Sequence, residues 1–181
     1  MKRTSAMTMW VFGYGSLLWN PGFEVDEQQV GVMHDYVRSF CMRSIHHRGT
    51  SEHPGLVLAL DEMKGARCEG VALRVKAGTE AETLAYLRER ELISSAYLEK
   101  SLAVHLKNGE VIEAVTYVID PNHVQYCHLD LEAQAQVISR AIGDRGPNTD
   151  YLHNTASHLV ELGIEDEDLN WLSQRVKTLC S

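Results

Sequence analysis

The chain has 181 residues, 44% of them hydrophobic and 23% charged, with a formal net charge of −8. That length suits one domain with a sizeable core, and the acidic balance, with no basic run to reverse it, argues against a nucleic-acid backbone as partner. No stretch approaches the roughly 20 apolar residues that span a bilayer, and the opening MKRTSAMTMW has no long apolar run to make it a signal peptide.

The cysteines Cys41, Cys68, Cys127 and Cys180 lie far apart, with no CxxC pair. That spacing speaks against a zinc site or a disulfide scaffold and for a reducing, cytoplasmic setting.

In chain order, residues 9–12 read as a buried strand entering a turn at Gly13–Gly15. Residues 30–44 are mixed and suit one or two strands. Residues 56–60 form a short apolar run, bounded by Pro54-Gly55 and Asp61, that suits a central strand. Residues 70–75 place Val71, Leu73 and Val75 on one side of another strand. Residues 101–106 and 111–119 flank "KNGE", and Asn108-Gly109 between apolar runs is a hairpin signal. Thr79 can cap a helix running to about Leu92. A second helix spans 131–142 and stops at Gly143. A third, capped by Asn148 or Thr149, reaches Leu162, and a last one starts near Asp166 and reaches Leu179. Strands dominate the first two thirds and helices the last third, which fits a single α+β domain on a largely antiparallel sheet or barrel.

The segment "VFGYGSLLW" is the first candidate for chemistry. The dinucleotide fingerprint fails because Leu18 stands where a third glycine is needed, and no Gly-Lys-Ser/Thr follows to make a P-loop. Glycines around Tyr14 let the backbone approach a ligand. Consecutive N–H groups in such a turn can cradle a carboxylate or an amide oxygen, with the Ser16 hydroxyl beside them. The commoner use of such a turn is geometric only, and the loop by itself leaves both readings open.

In the helix after Thr79, Ala81, Leu84 and Leu87 form an apolar stripe whose next member is Glu91. Arg88 and Arg90 are expected in solvent. A sheltered carboxylate is costly, and desolvation gives it the basicity that a general base needs. The alternative is a glutamate paired with a nearby arginine or placed at a frayed helix end. Other candidates are weaker. His46 and His47 would point to opposite faces of a strand, His123 and His128 lack metal-ligand spacing, and Ser16 lacks a GxSxG setting.

The segments "VFGYGSLLWNP", "HHRGTSEHPGLVLAL", "EGVALRV", "YLRERELISSAYL", "AVTYVIDPNHVQY" and "GPNTDYL" follow one another in this order over nearly the whole chain. With them the chain resembles the ChaC-type, glutathione-specific γ-glutamylcyclotransferases. The resemblance implies one α+β domain over residues 1–181, a small mixed or antiparallel β-barrel with flanking helices and a helical C-terminal third. It implies that Gly13, Tyr14, Gly15, Ser16, Leu17 and Leu18 hold a γ-glutamyl group, and it places the catalytic glutamate of a YL-x-x-RE motif on Glu91. Arg48 in "HRG" and Tyr151 in "NTDYL" match further substrate-binding positions.

The implied partner is a small molecule, glutathione or a related γ-glutamyl compound, converted to 5-oxoproline with no cofactor, metal, nucleic acid or membrane. Where several family members carry glycines after the motif, this chain has Ser94, Ser95 and Ala96. Two alternatives stay open: the same chemistry on another γ-glutamyl amine, and a non-catalytic regulator of a transport protein using the same pocket.

Overall fold

The computed structural model describes residues 8–92 and 95–181. Seven strands and four α-helices follow in order: β1 (Trp10–Gly13), β2 (Val25–Ser44), β3 (Gly55–Val75), α1 (Glu80–Glu91), β4 (Tyr97–Leu106), β5 (Val111–Ile119), α2 (Leu131–Arg140), β6 (Ile142–Gly143), β7 (Gly146–Pro147), α3 (Asn148–Glu161) and α4 (Glu167–Cys180). The architecture is α+β with a closed barrel in the order β1-β3-β2-β4-β5 and a separate two-stranded β6-β7 sheet. The chain divides into two compact units. One comprises residues up to Arg38 with Leu60–Asp120, and the other Ser39–Ala59 with Pro121–Ser181.

In the first unit, β1 runs antiparallel to β3, with Val11 opposite Leu73, and parallel to β5, with Val11 opposite Val115. β4 and β5 form the expected hairpin, pairing from Tyr97↔Ile119 to His105↔Val111. Its turn is closed by Gly109, which takes φ +95°, a conformation that costs an L side chain energy and glycine almost nothing. The core here packs Val11, Leu17, Val75, Leu87 and Tyr117, with Tyr86 and Leu92 against them. Leu87 is wholly buried, a burial worth about 1.5–3 kcal/mol, and it holds α1 down by the face that ends in Glu91.

Three sequence expectations change. The runs at 56–60 and 70–75 belong to one strand of 21 residues. Glu62, Met63, Lys64 and Gly65 between them are exposed, so they read as a connector, yet the strand continues through them, with Gly65 at φ +88° and its N–H donating to Asp35 Oδ1 at 2.9 Å, and β3 is hydrogen-bonded to β2. The inward stripe of α1 is Thr83 and Leu87 in line with Glu91, whereas Ala81 is exposed and Leu84 half-buried. Thr79 does precede the helix, but its hydroxyl donates to the Lys76 carbonyl at 2.8 Å and does not cap.

In the second unit, α2, α3 and α4 pack on one another. Asp130 caps α2 by accepting from the Ala133 N–H, and Asp166 caps α4 by accepting from the Leu169 N–H. α2 ends at Arg140, short of Gly143, because Ile142 and Gly143 pair with Pro147 and Gly146. Asn148 opens α3 but does not cap it. Its wholly buried amide accepts from the Leu56 N–H at 2.8 Å and donates to the Leu56 carbonyl at 2.9 Å, taking the place of a neighbouring strand at the start of β3.

Candidate functional site

The first unit carries the glycine turn and the helix carboxylate. β1 delivers Gly13, Tyr14 and Gly15 buried, and a 3₁₀ turn at Ser16–Leu18 follows at once. Gly15 takes φ −138° and ψ −118°, outside the helical and extended regions. The amides at the head of such a turn have no partner within it, which is the arrangement that can receive an oxygen anion.

The Tyr14 ring is buried, and its hydroxyl donates to the Tyr117 carbonyl at 2.8 Å. The Arg38 guanidinium, also buried, donates to the Tyr14 carbonyl at 3.1 Å and to the Glu69 carbonyl at 2.8 Å. Leu17 lies in the core and Leu18 is half-buried. The turn is therefore fixed from both ends by long-range contacts and does not depend on its own hydrogen bonds alone.

Glu91 is the last residue of α1, and its side chain keeps only 14% of its exposure. It is paired with Arg90, whose Nε lies 3.1 Å from Glu91 Oε2. Arg90 was expected in solvent; its side chain is also 14% exposed. Arg90 Nη2 donates to Ser16 Oγ at 3.0 Å, and Nη1 reaches the Asn20 carbonyl at 2.7 Å, the Pro21 carbonyl at 3.1 Å and the Tyr86 hydroxyl at 3.1 Å. The two sequence candidates, Ser16 and Glu91, are thus joined through one guanidinium. Arg88 behaves as expected of an exposed residue and holds Glu99 by a two-pronged ion pair at 2.9 Å. Glu99 in turn accepts from the Tyr117 hydroxyl at 3.0 Å.

Burial, the hydrogen bond donated to Glu99 and the nearby charges of Glu99 and Glu91 push the Tyr117 phenol far above its ordinary value. Arg88 holds the Glu99 carboxyl below the usual carboxylate range. Sequence reasoning missed Arg38 and Tyr117. For Arg90 the signals were there: a nearby arginine was the alternative partner for Glu91, and in the YL-x-x-RE motif Arg90 directly precedes the glutamate; the pair it forms with Glu91 is that alternative.

Arg48 and Tyr151 belong to the second unit, where they meet each other. The Arg48 guanidinium lies 5.8 Å from the centre of the Tyr151 ring, a cation–π distance. Arg48 Nη1 donates to the Pro147 carbonyl at 3.1 Å, and Tyr151 Oη accepts from the Leu58 N–H at 3.1 Å. Burial pulls the Arg48 guanidinium below its ordinary value, with Asp150 opposing that shift. Ser94 lies outside the described residues, while Ser95 takes φ +63°. Among the described residues no group of three or more His, Cys, Asp or Glu side chains is arranged to hold a metal ion, and no helix is long and apolar enough to cross a membrane.

Comparison with known proteins places the chain among relatives. A family model described as ChaC-like protein matches residues 9–179. The glutathione-specific gamma-glutamylcyclotransferase of Escherichia coli K12 is 39% identical over 94% of this chain and 74% of its own length. Gamma-glutamylcyclotransferase 2-1 of Arabidopsis thaliana is 36% identical over 94% of this chain and 83% of its own. A crystal structure of a glutathione-specific gamma-glutamyl cyclotransferase from yeast superposes with a TM-score of 0.85, covering 95% of this chain and 96% of that one. At 22% identity that likeness concerns the fold.

Proposed function

The chain belongs to the ChaC-like family, and from that premise we propose that it is a γ-glutamylcyclotransferase acting on glutathione, with Glu91 as its general acid and base. The observation that carries this reading is the placement of Glu91. It is a carboxylate 14% exposed at the end of a core-packed helix, linked by Arg90 to the Ser16 hydroxyl of the glycine turn.

The reaction needs no water. The α-amine nitrogen of the glutamyl group attacks its own γ-carbonyl carbon and closes a five-membered lactam. The bond from that carbon to the cysteinyl nitrogen breaks, releasing 5-oxoproline and cysteinylglycine. The attacking amine is an ammonium at neutral pH. Glu91 removes its proton and returns one to the departing nitrogen, a transfer worth roughly 10²–10⁴-fold. Folding the glutamyl chain back on itself supplies the other large contribution, on the order of 7–11 kcal/mol for well-oriented intramolecular attack.

Gly13, Tyr14, Gly15, Ser16, Leu17 and Leu18 hold the glutamyl end in that bend, their amides receiving its α-carboxylate or the developing oxyanion. Arg48 and Tyr151 are the further substrate-binding residues that the family resemblance implies. The whole chain is one γ-glutamylcyclotransferase-like domain. In support, the family match runs unbroken over 9–179, and β2 and β3 each contribute residues to both units. Free thiols at Cys41, Cys68, Cys127 and Cys180 suit work in a reducing cytoplasm.

The test is a product assay. Purified protein is incubated with glutathione, γ-glutamyl-alanine and γ-glutamyl-lysine, and 5-oxoproline is followed by mass spectrometry. The expected result is 5-oxoproline from glutathione, with little from the other two. Preference for another γ-glutamyl compound moves the substrate assignment. Binding of all three with no lactam removes the enzyme assignment and leaves a metabolite-sensing regulator.

A further inference from the structure

The mechanism above uses Glu91 and the glycine turn and gives Arg90 nothing to do, although Arg90 contacts both Glu91 and Ser16. We propose that Arg90 is a positioning residue for the reaction: it clamps the Ser16–Pro21 segment to the Glu91 carboxylate, so that the base and the glutamyl-binding turn move as one body. This rests on the assignment of Glu91 as base and of Gly13–Leu18 as the glutamyl turn.

The donor geometry is the first support. A guanidinium presents five N–H donors in a rigid plane; in Arg90 the Nε edge pairs with Glu91 Oε2, Nη2 donates to Ser16 Oγ, and the two hydrogens of Nη1 are shared among the Asn20 and Pro21 carbonyls and the Tyr86 hydroxyl. An arginine serving only as counter-ion to its neighbour would need the Nε edge alone. Here both Nη groups are committed to a segment some seventy positions away in the chain, 74 residues for Ser16 and 70 for Asn20.

Electrostatics gives the second support. Glu91 closes α1, where the last carbonyls carry partial negative charge that disfavours a carboxylate. Among the described residues, charged or titratable groups near this end include Arg88, Glu99, the Tyr117 phenol and the Tyr86 phenol. Arg88 and Glu99 are engaged with each other. Arg90 is the cation in contact with Glu91, and with both side chains sheltered their attraction is less screened than that of a surface pair.

Arg90→Met and Arg90→Lys test the clamp beside the parent. With glutathione as substrate, Arg90→Met is expected to lose about 100-fold in kcat/KM, the scale of an ångström-sized misplacement, with KM raised. The acid limb of its pH–rate profile moves to higher pH, since the cation favouring the carboxylate is gone. Arg90→Lys restores the acid limb but not KM, because an ammonium cannot span Glu91 and the turn together.

Hydrogen exchange reads the clamp without activity. The Leu18, Trp19 and Asn20 amides exchange about tenfold faster in both variants. Parental KM and acid limb in Arg90→Met, with only a lower melting temperature, would overturn the proposal, as would unchanged exchange at those amides. If the parent yields no 5-oxoproline, the functional reading fails, and exchange alone still decides the clamp. Should Arg90→Met not fold, Arg90→Lys carries both measurements.

Discussion

Glu91 and Arg90 stand side by side in the chain with opposite charges and equal shelter. Glu91 was legible in the sequence because it follows Leu87 at one helical turn, so periodicity alone marks it as a carboxylate on a core-facing stripe. The reach of Arg90 to Ser16, Asn20 and Pro21 was not, because it is set by acceptors that meet it only when β1 and α1 pack, and no local pattern encodes contacts across that separation. Ser95 is the other informative residue. A serine at φ +63° pays the left-handed penalty of about 1–2 kcal/mol. Ser95→Gly removes that cost and adds a chain-entropy cost of about 0.5–1 kcal/mol. The net expectation is a gain near 0.5–1 kcal/mol in stability, measured by urea unfolding. A loss of stability would show that the Ser95 side chain does something its backbone does not reveal.

Where α1, β4 and β5 meet, Arg88, Glu99 and Tyr117 form a chain of contacts, and Tyr117 carries the pH dependence. Burial chiefly, then the bond to Glu99, raises the Tyr117 phenol above its ordinary value of 10.0. The folded state therefore keeps this proton after the unfolded chain has released it. The stability it contributes is complete below about pH 10 and is lost as the pH climbs from there toward the folded value. The melting temperature of the parent is expected to fall more steeply above pH 10 than that of Tyr117→Phe. Identical alkaline slopes would contradict the burial of a neutral phenol at this junction.

The elements themselves were largely legible. The hairpin at Asn108-Gly109 falls where its turn residues put it, and α4 starts at its Asp166 cap; α2 and α3 exist as read, though α2 stops before Gly143 and Asn148 does not cap α3. The single strand 55–75 was not legible, because hydrophobic patterning reports burial, and residues 62–65 lie within the strand but are exposed. Asn148 misled for a related reason: an asparagine at a helix start suits a cap, and here its amide serves a distant strand.

For the molecule as a whole, α+β class followed from the run of strands then helices. A barrel was one of two arrangements the residues allowed and the one the resemblance implied, and the closed barrel bears it out; its register could not be read, since the parallel contact of β1 with β5 joins residues 104 positions apart, Val11 with Val115. The family match is likewise a property of the whole chain, since it runs over residues 9–179. The most direct measurement is the rate of 5-oxoproline formation from glutathione by the parent and by Glu91→Gln, with melting temperatures taken alongside. A glutamine keeps the shape of the side chain and cannot take the ammonium proton. Expected are equal melting temperatures within a few degrees and a loss of roughly 10²–10⁴-fold in rate; comparable turnover by the two proteins would contradict Glu91 as the base.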